Sequence, residues 1–156
     1  MRGDDKTKKA IVIYDTNFGN TEKIAKAIAE GMEEQGVKVD LINAEEVDAS
    51  KLGEYDMLAV GGPTHVHGVS KPMKAFLERL RSVDVKGRKA FAFDTKMKAW
   101  WAGSAAGGIQ KGLKKARMSI LKPHSSAIVT GREGPLEEGM EETFRQIGAE
   151  IAELIQ

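Results

Sequence analysis

At 156 residues the chain has room for one domain with one substantial core, and is too short for two ordinary ones. Hydrophobic residues make up 41% and charged residues 30%, a soluble globular balance, and no apolar run approaches the ~18 residues of a membrane span. Lys plus Arg (24) nearly cancels Asp plus Glu (23), so the net charge of +1 draws the chain to neither nucleic acid nor membrane, and the absence of cysteine removes disulfides, thiolate nucleophiles and cysteine-held metal centres.

Residues 1–9 form a polar tail of mixed charge with no apolar core, unlike a signal or transit peptide, so a cytoplasmic location is expected. Residues 10–156 read as a single domain. A β-branched run at 10–14 predicts a buried strand, and from Thr21 the spacing turns helical, with Ile24, Ala25, Ile28 and Met32 on one face and Gly36 as the stop. Strands follow at 37–42 and 56–61, the latter left through Gly61, Gly62 and Pro63. A helix over 71–80 turns Met73, Phe76, Leu77 and Leu80 inward. Next come a strand at 89–93, a helix at 103–116, a strand at 127–130 and a helix at 136–155 that directs Phe144, Ile147, Ile151 and Leu154 inward.

Five strands alternating with helices call for a parallel sheet covered on both faces. Such sheets bind ligands beyond the carboxyl ends of their strands, which directs attention to residues 15–21, 63–68 and 94–102.

The first of these loops carries Thr16, Asn17, Phe18, Gly19, Asn20 and Thr21 between a strand and a helix start. Hydroxyls, amides and a glycine here let backbone N–H groups and the positive helix end close around a phosphate. It contains no lysine, and neither the Gly-x-x-x-x-Gly-Lys-Ser/Thr nor the Gly-x-Gly-x-x-Gly string is present. A cradle of neutral dipoles suits a terminal phosphate monoester; the plainer alternative is a capped helix start.

The stretch from Val12 through Asp15, Thr16, Asn17, Phe18, Gly19, Asn20 and Thr21 to Ile28 resembles the flavodoxin signature position by position. The resemblance implies a flavodoxin-like α/β three-layer sandwich, with a five-stranded parallel sheet in the order 2-1-3-4-5 and helices on both faces. It also implies one non-covalently bound flavin mononucleotide (FMN), its phosphate held by the first loop.

By the same resemblance Pro63, Thr64, His65, Val66, His67 and Gly68 match the family's loop along the inner flavin face. His65 stands where an aromatic is common and offers a smaller stacking area. Val66 occupies a position where short-chain members often have glycine, and its β-branch resists the positive backbone angle of a peptide flip on one-electron reduction. His65 and His67 form a His-x-His pair, but no nearby carboxylate completes a metal site. In the third loop Asp94, Thr95, Lys96, Trp100, Trp101, Ala102 and Gly103 match the segment that covers the outer flavin face and offers backbone N–H groups to the pyrimidine oxygens. Trp100 or Trp101 is the candidate for the ring stack, with two core tryptophans as the alternative.

No nucleophile–base constellation stands out, which agrees with an electron carrier. Lys96 and Lys98 are expected to steer an acidic redox partner such as a ferredoxin or an oxidoreductase, whereas the basic run Lys111, Lys114, Lys115 and Arg117 reads as a solvated helix face. The alternative is a flavin-dependent NAD(P)H:quinone or FMN reductase on the same fold. A phosphoacceptor signalling domain would need clustered aspartates after the first strand, where Asp15 stands alone.

Overall fold

The computed structural model describes residues 7–65, 68–99 and 103–156. Its elements in chain order are β1 (Lys9–Tyr14), α1 (Asn20–Glu34), β2 (Lys38–Asn43), a 3-10 helix (Ala49–Glu54), β3 (Met57–His65) and β4 (Gly68–Val69). They continue with α2 (Lys71–Leu80), β5 (Lys89–Met97), α3 (Ala105–Lys115), β6 (Ser119–Ile120), β7 (Ser125–Val129) and α4 (Met140–Ile155).

The sheet runs β2-β1-β3-β5, with β6 and β7 both paired in parallel to β5. The expected last strand is thus present but divided. β6 meets Lys89 and Ala90, β7 meets the run from Phe93 to Met97, and between them lies Pro123, which has no N–H for a ladder. With β6 and β7 taken as one strand, the order is the expected 2-1-3-4-5.

Alternation along the buried strands builds two cores, one on each face of the sheet. Ile11, Ile13, Leu58, Val60, Ala90 and Ala92 pack with α2 and α3. Ala10, Val12, Met57, Ala59, Phe91 and Phe93 pack with α1 and α4. Helix α2 follows its sequence closely: the Ser70 hydroxyl accepts from the Met73 N–H, Pro72 stands in the first turn, and Met73, Phe76, Leu77 and Leu80 are buried.

The boundaries that differ most from the sequence reading are those of β3, β5 and the last helix. Strand β3 does not stop at Gly61 but runs to His65, with Gly62 and Pro63 opposite Asp94 and Thr95 of β5. Pairing with β1 ends at Tyr14 opposite Gly61, so beyond that point β3 has one parallel neighbour and a missing proline N–H costs the ladder less. Strand β5 likewise runs to Met97, so residues 94–97 are strand rather than loop.

The last helix begins at Met140, not at residue 136, because Leu136 bridges Val129 and the Glu137 N–H donates to the Ile128 carbonyl. Its inward face differs as well: Leu154 is 51% exposed, while Phe144, Gly148, Ile151 and Ala152 are buried. The cause is close helix packing. A Cβ on Gly31 of α1 would collide with the Arg145 carbonyl, and one on Gly148 with the Ile28 carbonyl, so α1 and α4 touch backbone to backbone.

Candidate functional site

Asp15 closes β1 and is buried; its N–H donates to the Gly61 carbonyl at 3.0 Å and its Oδ2 accepts from the Ser70 hydroxyl at 2.6 Å. The start of the following turn is therefore held to β3 and to the N-cap of α2. Within the turn Thr16 Oγ1 accepts from the Gly19 N–H at 2.9 Å, and Gly19 adopts φ 89°, a left-handed angle that a side chain would strain. Gly19 is also the N-cap of α1 and makes no side-chain cap, so among the described residues the leading N–H groups of the helix are left without a capping side chain.

Two side-chain bonds join the turn to the other loops. Thr21 Oγ1 lies 2.8 Å from Thr95 Oγ1 in a buried hydroxyl pair between α1 and β5. Asn17 Nδ2 lies 2.8 Å from His65 Nε2 at the end of β3.

The second and third loops share a different anchor. Asp94 is fully buried, and its Oδ2 accepts from Thr64 Oγ1 at 2.9 Å, Ser104 Oγ at 2.7 Å and the Ala106 N–H at 3.0 Å. Thr64 Oγ1 accepts in turn from the Ala105 N–H at 2.9 Å. One carboxyl group thereby ties the end of β3 to the start of α3. Its Oδ1 is buried and has no partner among the described residues.

Around these anchors opens a cavity of about 1010 Å³, at the upper end of the roughly 300–1,000 Å³ usual for small-molecule sites. Thr16, Asn17, Phe18, Asn20 and Thr21 line it from the first turn. Pro63, Thr64 and His65 line it from β3, and Thr95 and Lys96 from β5. Gly19, Gly68, Asp94 and Gly103 are not among its lining residues. Gly19 and Asp94 bond lining residues Thr16 and Thr64, and Gly68 pairs with His65 where β4 folds back antiparallel on β3. Val66, His67, Trp100, Trp101 and Ala102 lie outside the described residues.

The wall also includes residues with no motif to mark them. Val69, Lys71, Pro72 and Lys74 reach it from β4 and the start of α2, Met97 from the end of β5, and Val129 and Arg132 from β7 and the turn beyond. Rules on strand ends could have found the last pair, since β7 belongs to the same parallel sheet.

The lining has one charge sign. Lys71, Lys74, Lys96 and Arg132 contribute to it, no Asp or Glu does, and among the described residues none of the four pairs with a carboxylate. The basic run Lys111, Lys114, Lys115 and Arg117 lies elsewhere, exposed around the carboxyl end of α3, where a helix dipole favours cations. His124 is exposed, and its backbone N–H donates to Gln110 Oε1.

A sequence model of the family described as flavodoxin matches residues 12–147. The flavodoxin of Aquifex aeolicus (strain VF5) is 33% identical over 169 residues, covering 94% of this chain and 86% of that protein. A solved flavodoxin from the domain Archaea superposes with a TM-score of 0.79 at 26% identity, covering 94% of this chain and 98% of its own. An NAD(P)H dehydrogenase (quinone) of Sinorhizobium fredii (strain NBRC 101917 / NGR234) is similar over less, 29% identical across 51% of this chain and 50% of that protein. Matched along most of its length in both sequence pattern and backbone course, the chain belongs to the flavodoxin family.

Proposed function

We propose that the cavity at the carboxyl end of the sheet holds the FMN of this protein, with the phosphate on the turn of Thr16, Asn17, Asn20 and Thr21. Flavodoxins bind FMN, and this chain is a flavodoxin-like FMN electron carrier; the quinone reductase alternative has the weaker likeness. The observation that carries the assignment is the uncapped start of α1, which opens on a cavity with no carboxylate among the described residues of its lining. Free N–H groups at a helix start, flanked by hydroxyl and amide side chains, are the donor set a phosphate monoester needs. The cavity volume is ample for a tricyclic ring as well.

The residues present fit the cofactor in chemistry as well as in volume. Thr64 and His65 would border the ring from β3, and Thr95 and Lys96 from β5. Bound FMN would supply the redox chemistry, and the part of the chain's own residues would be to hold and orient it. No acid–base pair is required for that task.

The electron partner in this reading is an acidic protein such as a ferredoxin or an oxidoreductase. Support comes from Lys71, Lys74 and Lys96 in the cavity wall and from exposed Lys98, two residues beyond Lys96 along the chain. Charges so placed raise encounter rates with an oppositely charged surface and are screened by salt.

Titrating the flavin-free protein with FMN, followed by quenching of flavin fluorescence, tests the site. One equivalent is expected to bind, and substituting Asn17 with Ala should weaken it. Anaerobic mixing with NADH or NADPH separates the two activities, because direct bleaching of the flavin would favour the reductase. Electron transfer to an acidic partner that is indifferent to ionic strength would remove the steering role of the lysines.

A further inference from the structure

The turn that follows β7 brings a cation to the phosphate end of the cavity. Thr130 anchors it at both backbone and side chain: its N–H donates to the Pro135 carbonyl at 2.8 Å and its hydroxyl to the same carbonyl at 3.0 Å. Inside that clasp the Gly134 N–H donates to the Gly131 carbonyl at 3.0 Å, which leaves Arg132 and Glu133 at the tip. The tip rests on the first residue of α1, since Asn20 Nδ2 donates to the Glu133 carbonyl at 3.1 Å.

Arg132 lines the same cavity as Thr16, Asn17, Asn20 and Thr21, whereas the neighbouring Glu133 does not. Among the described residues Arg132 makes no ion pair, and no carboxylate shares the cavity wall. A guanidinium offers a planar fork of donors matched to phosphate oxygens. The start of α1 adds the partial positive charge of its dipole from the other side.

We infer that Arg132 partners the FMN phosphate across the mouth of the first turn and sets the preference for FMN over riboflavin. The inference rests on the FMN assignment above and adds a cation to a cradle otherwise built of neutral donors. Because Arg132 is exposed and makes no ion pair among the described residues, its substitution is expected to leave the fold intact.

The test compares dissociation constants for FMN and riboflavin, at low and high salt, in the native protein, Arg132→Gln and Arg132→Lys. In Arg132→Gln at low salt, FMN should bind about three- to tenfold more weakly, in the range of one partly screened charge contact. Riboflavin affinity should be unchanged, the salt dependence of FMN binding should flatten, and Arg132→Lys should recover most of the loss. An unaltered FMN affinity in Arg132→Gln, or an equal loss for riboflavin, overturns the role of Arg132 while leaving the FMN site in place. Failure of the native protein to bind FMN overturns both.

Discussion

Asn17 Nδ2 and His65 Nε2 stand 2.8 Å apart, so the turn after β1 and the end of β3 are joined side chain to side chain across the cavity wall. The amide nitrogen can donate to Nε2 when that ring nitrogen carries no proton. The bond ties the proposed phosphate turn to the proposed ring loop. Substituting either residue with Ala should therefore weaken FMN binding, and the double substitution should cost less than the sum. A double-substitution cycle on FMN affinity should return a coupling of about 0.5–1 kcal/mol, the size of one partly exposed hydrogen bond. Strict additivity would mean that the two side chains act independently.

Asp94 gathers three donors on one oxygen, two hydroxyls and a backbone N–H, and thereby ties β3, β5 and α3 together. Replacement by Ala leaves those donors unpaired in a buried place and should destabilise the fold by about 2–4 kcal/mol. Replacement by Asn keeps an oxygen for the donors and should cost less. Urea midpoints of the two variants, at a fixed concentration of FMN, would rank them; equal midpoints would contradict the network.

The close crossing of α1 and α4 depends on the lack of side chains at Gly31 and Gly148. Each Ala substitution drives a Cβ into a carbonyl of the facing helix, and the helices must part. A loss of about 1–3 kcal/mol is expected, as for over-packed cores. Since neither residue lines the cavity, FMN affinity measured well below the unfolding transition should stay close to native.

Arg145 joins the same two helices from outside, bonding Glu34 of α1 at 2.5 Å and both carboxylate oxygens of Glu142. The guanidinium, and then the Gln146 amide, hold the Glu142 carboxyl down at about 2, from an ordinary value of 4.5. A carboxyl depressed in the folded state contributes stability above its unfolded value and loses it as pH falls through the folded one. Stability should therefore decline between about pH 4.5 and 2 more steeply in the native protein than in Glu142→Gln. The two unfolding curves should converge at the acid end; parallel curves over that range would remove Glu142 as a contributor.

The sandwich was legible in the chain because it rests on local periodicities. Buried strands show as β-branched apolar runs, and α2 carries its own cap, proline and apolar stripe, so its bounds followed from residues 70–80. The first turn was legible for the same reason: cap chemistry and the glycine conformation are local matters. The inward face of α4 was not, because Gly148 and Ala152 give no hydrophobic signal and Leu154 gives a false one. What turned that helix was contact with Gly31, far away along the chain.

The amino-acid sequence alone therefore carried the alternation of strands and helices along the chain, the likeness to flavodoxins and the position of the first turn, since each is written in neighbouring residues. Folding added what distance along the chain conceals. Strands β3 and β5 continue past their apolar runs because each completes the other's ladder there. Asp94 joins β3, β5 and α3 through bonds between segments remote in sequence, and Arg132, which matches no motif, comes to line the same cavity as the start of α1. Parallel sheets bring the ends of remote strands to one edge, so half of such a site is always assembled from segments that do not adjoin in sequence.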